Sequence, residues 1–458
     1  MRLLHTSDWH LGQLLCDHSR DDEHKAFLDW LARLADEIEA DALLVAGDVF
    51  DTMAPSSLAR RRFFEFLAAL ERTGCRQAVI IGGNHDSPSV LNAPAEYERA
   101  HGVWVAGEKP TLPEDGLVWL KNREGEPCAL LCAVPYLRDA DVRVQGLADD
   151  PRLRDEELRR GVAGCFLAQA RLARQHLEAS GLDLPLLAMG HFYAMDARRF
   201  ASETRLDRGT LGAVPVDEIA AAFDYVALGH LHSAQSAGPF KHVRYPGSPL
   251  AMSFDELRPK EVIVLDVAEG GRRFGEADLE DVGFGHAGCR LLADGRLRMA
   301  RVRIPCSRPL VVASGTAAEA ATRVEEIFRT LPRALVKVTV QGGAAEALAR
   351  INALVEAHAR DPQSPLVLEF VDEASRERFL AREAEDCPDL ASLAPRDVFR
   401  MRMADEGLED AVQARLLELF DEALEELRLE GGLDAGRDGS LKAGAGTRPG
   451  ADAPGGGQ

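Results

Sequence analysis

Short apolar runs recur along the first 266 residues, and five of them break off within a few positions on Asp, Asn or His. The runs cover residues 3–4, 42–46, 78–81, 184–189 and 225–228. The polar residues that follow are Asp8 and His10, Asp48, Asn84 and His85, His191, and His230 and His232. Apolar runs this short, bounded by Gly and polar residues, predict buried strands. Stretches of helical period such as 24–38 and 60–72 lie between them, so the pattern predicts a layered α/β core. In open α/β sheets ligands bind beyond the carboxyl ends of the strands. If the five strands share one sheet, their last residues meet on one rim.

The pattern changes further along. Residues 269–288 are acidic and Gly-rich and read as a linker. Beyond it, 299–304, 335–340 and 366–370 read as strands with helices 317–330 and 345–359 between them, which predicts a small α+β module. At 411–430, Val412, Leu416, Leu419, Phe420, Ala423 and Leu427 share one helical face while Glu418, Glu422, Glu425 and Glu426 turn away. That face can dock on a partner or fold back on 374–385. The Gly-, Ala- and Asp-rich stretch 431–458 has too few large apolar residues to offset its ordering entropy and is predicted to be disordered. The expected organisation is a core at 1–280, a module at 289–373, a helical region at 374–430 and a tail.

Candidate chemistry sits at the strand ends. Five of the thirteen His stand there, in the strings Asp8-x-His10, Gly83-Asn84-His85-Asp86, Gly190-His191 and Gly229-His230-x-His232. The set contains no Cys, which excludes a thiolate zinc site and suits Mn, Fe or Zn held by imidazole and carboxylate. Seven candidates, Asp8, His10, Asp48, Asn84, His191, His230 and His232, are too many for one tetrahedral ion and fit two ions with a bridging carboxylate. Two such ions, roughly 3.5–4 Å apart, can clamp the attacking and leaving oxygens of a phosphoryl displacement. The reaction class that follows is metal-assisted phosphoester hydrolysis.

In order and spacing these strings, with Gly47-Asp48-x-x-Asp51, resemble the signature of the calcineurin-like metallophosphoesterases. The strings LHTSDWHLG (4–12), GDVFDT (47–52), GHFYA (190–194), ALGHLH (227–232) and YPGSPLAMSFDE (245–256) are similar to the SbcD family of bacterial nuclease subunits. The similarity is dense over 1–266 and thins beyond. It implies a layered metallophosphoesterase core with sheets flanked by helices, a small α+β domain capping the site, and C-terminal helices. It also implies one metal held by Asp8, His10, Asp48 and His232, and another by Asp48, Asn84, His191 and His230. His85 would then act on the leaving oxygen. Asp86 either orients the His85 ring or caps the next helix, and Asp51 either supports the metal ligands or, as the preferred reading, simply ends its loop.

The resemblance further implies Mn as cofactor and double-stranded DNA as substrate, cut as an exonuclease and a hairpin or single-strand endonuclease in repair, recombination and replication. The partner would be an SbcC-type ATPase, bound through 395–430, with a homodimer inside a heterotetramer. No N-terminal signal or membrane span is visible, and the eight Cys form no C-x-x-C pair, so a cytoplasmic protein is expected. The net charge of −21 is unusual for a free-standing DNA binder. Ions at the carboxylates and a DNA-binding partner account for it. Two Arg clusters, Arg60 to Arg62 and Arg198-Arg199 with Arg205 and Arg208, are candidate phosphate contacts. A phosphatase or cyclic-nucleotide phosphodiesterase shares every metal motif, but protein phosphatases of this kind carry an Arg soon after G-D-x-x-D and end the Asn-His motif in Glu. Here Thr52-Met53 and Asp86 stand in those places. A catalytically silent scaffold would have lost a ligand position, and all are filled.

Overall fold

The structure, a computed structural model, describes residues 1–142, 151–195, 197–198, 213–270, 272–279, 287–342 and 344–373, together with 396, 399, 413, 415–417, 419–420, 433–435 and 441–443. The chain divides into two compact units, Met1–Val371 and Asp372–Gln458.

The apolar runs do form strands, but in two sheets rather than one. Arg2–Thr6, Ala42–Ala46 and Gln77–Ile81 run parallel as neighbours inside a seven-stranded sheet, whereas Leu186–His191 and Tyr225–Gly229 run parallel inside a six-stranded one. The runs are continuous because both faces of each strand are buried. Leu3, Leu44, Val79, Leu187, Met189 and Ala227 point into the core shared by the two sheets. Their neighbours Leu4, Leu43 and Ile80 pack outward under helices Asp21–Glu37 and Ser57–Glu71. On the other side Leu186, Ala188 and Leu228 pack with Phe166 of helix Pro151–Ser180 and Ile219 of helix Asp217–Ala222. The result is a helix–sheet–sheet–helix sandwich. His5 crosses its centre, with Nδ1 2.9 Å from the Tyr225 hydroxyl.

Helix starts follow local chemistry. Ser56 caps Ser57–Glu71 by accepting from the Ala59 amide at 3.1 Å, and Asp21, Asp22 and Glu23 place negative charge at the N-terminal end of Asp21–Glu37. Among the described residues no helix is long and apolar enough to cross a membrane.

Two expected boundaries are corrected. The strand read at 299–304 as the start of the small module is Leu297–Arg303, and it pairs antiparallel with Glu261–Val267 inside the seven-stranded sheet. The stretch read as a linker ends in another strand of that sheet, Ala287–Leu292. The core therefore runs to Arg303, past the expected 280. The module begins with Leu310–Gly315, parallel to Leu335–Val340, and keeps the predicted β-α-β-α-β order with helices Ala317–Thr330 and Ala344–His358 and strand Leu366–Asp372. A capping box of Thr316 and Glu319 starts its first helix. Local pattern identifies a strand but not the sheet it joins, which explains the misplacement.

In the second unit, the expected helix at 411–430 lies largely outside the described residues; 413, 415–417 and 419–420 are helical, and Phe420 stacks on Phe399 with ring centroids 4.1 Å apart. The tail expected to be disordered contains an antiparallel pair, Leu433–Ala435 with Leu441–Ala443. The remainder of 431–458 lies outside the described residues.

The revised boundary is testable by truncation. The small module has its own core of Val324, Ile327, Val336, Val338 and Ile351, so a chain ending at residue 304 is expected to melt cooperatively in circular dichroism. A chain ending at residue 288 loses Leu297, Met299 and Val302, all buried in the sandwich, and on the order of 5 kcal/mol with them. It is expected to show no cooperative transition.

Candidate metal centre

All seven candidate donors come together where the carboxyl ends of the two sheets meet. The turns that follow the strands carry unusual backbone. Asp8 (φ +52°), His10 (+45°), Asp48 (+50°) and His230 (+100°) all adopt positive φ, at roughly 1–3 kcal/mol each for a residue with a side chain. Hydrogen bonds hold these strained turns in place. The Asp8 amide donates to the Gly47 carbonyl at 3.0 Å, the His10 amide to the Asp48 carbonyl at 3.0 Å, and the His230 amide to Asp8 Oδ1 at 2.8 Å. Two glycines are required by space. A side chain at Gly47 would strike the His191 ring, and one at Gly83 would strike Asp48.

The sheets are tied together at this rim. His191, from the six-stranded sheet, places Nδ1 2.8 Å from the carbonyl of Ala46, the last residue of a strand in the other sheet. A carbonyl only accepts, so Nδ1 carries the proton and Nε2 presents its lone pair to the cluster, 3.3 Å from Asp48 Oδ2. Asn84 Oδ1 lies 3.1 Å from that Nε2 and 2.9 Å from His230 Nδ1. His10 is 3 % exposed, yet neither ring nitrogen makes a hydrogen bond; its Nε2 stands 3.6 Å from Asp48 Oδ2. A buried imidazole that faces carboxylates on both sides without a hydrogen bond to either fits a divalent-cation ligand. Asp8, His10 and His232 form one group whose donor atoms all lie within 4.8 Å of one another, and Asp8, Asp48 and His191 form a second. The oxygen and imidazole donors fit divalent cations.

Electrostatics agree with that fit. Burial works against ionisation of both carboxyls. It raises Asp8, whereas at Asp48 the neighbouring His191, His10 and His85 win and hold the group well below the usual carboxylate range. Burial alone would depress His191, but Asp48 and Asp8 push it up to about 9.

The structure corrects two roles. Asp86 does not orient His85. Its fully buried carboxylate accepts from the amides of Val49 (3.1 Å), Phe50 (2.9 Å) and Gly83 (2.9 Å), tying two motif loops together. Nor does it cap the next helix, whose N-cap is Ser87. Asp51, preferred as a mere loop end, does the orienting. Its carbonyl accepts from His85 Nδ1 at 2.8 Å, and its carboxylate lies 3.2 Å from His10 Nδ1. Backbone atoms leave no mark in a motif, which is why this pairing was not legible.

Glu256 is the functional residue that sequence reasoning missed. Oε1 accepts from His232 Nδ1 at 3.0 Å, turning Nε2 toward the cluster, and Lys260 Nζ holds Oε2 at 2.7 Å. Burial raises its carboxyl, but His232 and Lys260 outweigh this and bring it to about 2. Its only signal was its place at the end of the 245–256 string. Tyr245 in the same string donates to the Phe192 carbonyl and accepts from the Ala194 amide, bracing the loop after His191. Of the Arg clusters, Arg62 is bound to Asp21 (2.6 Å) and Glu65 (2.9 Å), leaving Arg60 and Arg61 exposed, while Arg199, Arg205 and Arg208 lie outside the described residues.

Residues 1–234 match the family model described as calcineurin-like phosphoesterase. The chain is 32% identical over 430 residues to the D subunit of the nuclease SbcCD from Escherichia coli (strain K12), covering 93% of this chain and 98% of that one. It is 40% identical over 280 residues to the protein of the same name from Rhodobacter capsulatus, and 33% identical over 275 residues to that from Bacillus subtilis, covering 59% of this chain and 67% of each of those. Among solved structures, a β-glucosidase from Exiguobacterium marinum aligns with 81% of this chain and 88% of its own at 10% identity and a TM-score of 0.20, which bears on neither fold nor function. A rim of buried imidazoles and carboxylates at the ends of paired sheets, together with these matches, means that the chain belongs to the calcineurin-like phosphoesterase family, among the relatives of the SbcCD nuclease's D subunit.

Proposed function

We propose that this protein is a metal-dependent DNA nuclease that hydrolyses phosphodiester bonds as the catalytic subunit of an SbcCD-type complex. The observation that carries the reading is the cluster of buried donors Asp8, His10, Asp48, His191 and His232 at the sheet junction, with Asn84 and His230 half-buried beside them, in a chain that covers 98% of a relative named as a nuclease. One ion would be held by Asp8, His10, Asp48 and His232, and the other by Asp48, Asn84, His191 and His230. Asp48 as the bridge is supported by its Oδ2, which lies 3.6 Å from His10 Nε2 and 3.3 Å from His191 Nε2. Mn is the ion we assign, on the family resemblance; the oxygen and imidazole donors fit it as they fit Fe or Zn. When bound, the two cations polarise the phosphoryl oxygen and lower the pKa of the attacking water.

The chain's own residues do the rest. His191 and His232 are fixed in one tautomer by the Ala46 carbonyl and by Glu256, so each offers Nε2 without reorganisation. His85, whose Nδ1 donates to the Asp51 carbonyl, would present Nε2 to the leaving oxygen and, as the imidazolium, give it the Nε2 proton. Asp86 keeps the two loops in register.

The SbcCD name of the relatives supports an SbcC-type ATPase as partner. Docking through 395–430 rests on the apolar face at 411–430, and the homodimer within a heterotetramer rests on the family resemblance. Cys16, Cys75, Cys128, Cys132, Cys165 and Cys306 are free thiols.

The test is cleavage of linear duplex DNA and of a small phosphodiester by the purified protein with Mn, with and without the ATPase. Duplex cleavage that requires the metal and rises with the partner is expected; diester hydrolysis without duplex cleavage would move the substrate to small phosphoesters. His85→Gln is expected to lower kcat by roughly 10²–10⁴-fold while Mn affinity by calorimetry stays unchanged. Glu256→Gln is expected to do the reverse, weakening Mn binding by about 10–100-fold. In EDTA, the raised His191 pKa contributes stability that is complete below about 6.5 and lost as pH climbs through about 9. The Tm of the metal-free protein should therefore fall across that window, and saturating Mn should abolish the fall.

A further inference from the structure

A groove of about 330 Å³ opens at His232 and Ser233, directly beside the metal centre. Arg258, Lys260, Arg301 and Arg303 line it against one carboxylate, Glu261. Glu261 is approached by Arg301 at 3.4 Å and Arg244 at 3.8 Å, so its charge is already matched. A cavity of about 560 Å³ shares Arg258, Lys260 and Arg303 with this groove and continues to Arg308 and Leu310, where the small α+β module begins. The cations of the trough are not equivalent. Lys260 is engaged with Glu256 and Ser248, and Arg308 donates to the Arg333 carbonyl at 3.0 Å. The Arg258 and Arg303 side chains are exposed and make no hydrogen bond or close ion pair among the described residues; Arg303 stands across the strand pair from Glu261, whose charge it shares with Arg301 and Arg244. In a chain of net charge −21, a groove beside the metal centre lined by four cations and one carboxylate is a local exception, and Arg258 and Arg303 are the two whose guanidiniums have no close partner. Unpaired guanidinium groups beside a phosphodiester-cleaving centre suit phosphate oxygens, which they bind in bidentate fashion.

We propose that this trough carries the phosphodiester backbone of a nucleic-acid strand past His232 toward the small module, with Arg258 and Arg303 as its phosphate contacts. The inference rests on the nuclease reading above and names residues that the metal motifs do not contain. Each phosphate neutralised by a protein cation releases counterions, so each contact contributes about 0.9 to the slope of log affinity against log salt.

The experiment uses the full chain with Arg258→Ala/Arg303→Ala and with the charge-preserving Arg258→Lys/Arg303→Lys. Binding of a labelled DNA duplex is titrated from 50 to 200 mM KCl, beside Mn-dependent hydrolysis of a small aryl phosphodiester. The double Ala variant is expected to keep diester hydrolysis, to bind DNA about tenfold more weakly, and to show a salt slope shallower by about two. The double Lys variant is expected to restore the slope. A double Ala variant with wild-type slope and affinity overturns the proposal, and leaves the nuclease reading standing. A wild type that hydrolyses the diester but neither binds nor cuts DNA overturns the nuclease reading, and the trough proposal with it.

Discussion

Two carboxylates, Asp8 and Asp48, stand out of water at the junction of two sheets, at 0 % and 2 % exposure. An isolated ionised carboxylate in such a place costs far more than a folded domain's net stability. The arrangement is tolerable because imidazoles from both sheets surround the pair, with His191 raised to about 9 by the very acids it faces. The same constraint explains the small residues at the strand ends. A side chain at Gly229 would collide with the Ala46 carbonyl, so only glycine lets the second sheet come close enough for His191 and His230 to reach Asp48 and Asp8.

Precision at this junction comes from residues that never touch its centre. Asp86 gathers three amides from two loops, Asp51 aims His85 with a backbone oxygen, and Glu256 and Lys260 lock His232 from 24 and 28 residues away. These contacts offset the strain of four left-handed turn residues, which is how a strained backbone persists in a folded state. The donors are thus preorganised by the whole sandwich rather than by their own motifs.

Charge is distributed with similar economy. The acidity of the chain is global, whereas the cations near the site are local and mostly committed, Arg62 to Asp21 and Lys260 to Glu256. The separation of committed from uncommitted cations is what distinguishes a structural ion pair from a surface that a polyanion can use.

The seven candidate donors and His85 were legible as residue types at strand ends, since a fully buried strand writes a continuous apolar run and the polar residues that line its rim follow directly after it. The helices read at 24–38 and 60–72 stand at 21–37 and 57–71, legible in their period. Which sheet each strand joined was not. Residues 3–4 and 299–304 have similar local patterns, and only long-range pairing with Glu261–Val267 puts both in one sheet, while 186–191 and 225–229 go to the other. Nor could the partners of Asp86, His85 and His232 be read, because they are backbone atoms or side chains brought near by folding. Sequence by itself determined the donor chemistry, which depends on residue type alone. Tertiary structure decided the ring orientations, the shared junction and the groove beside it, because these depend on distances that exist only after the two sheets have packed.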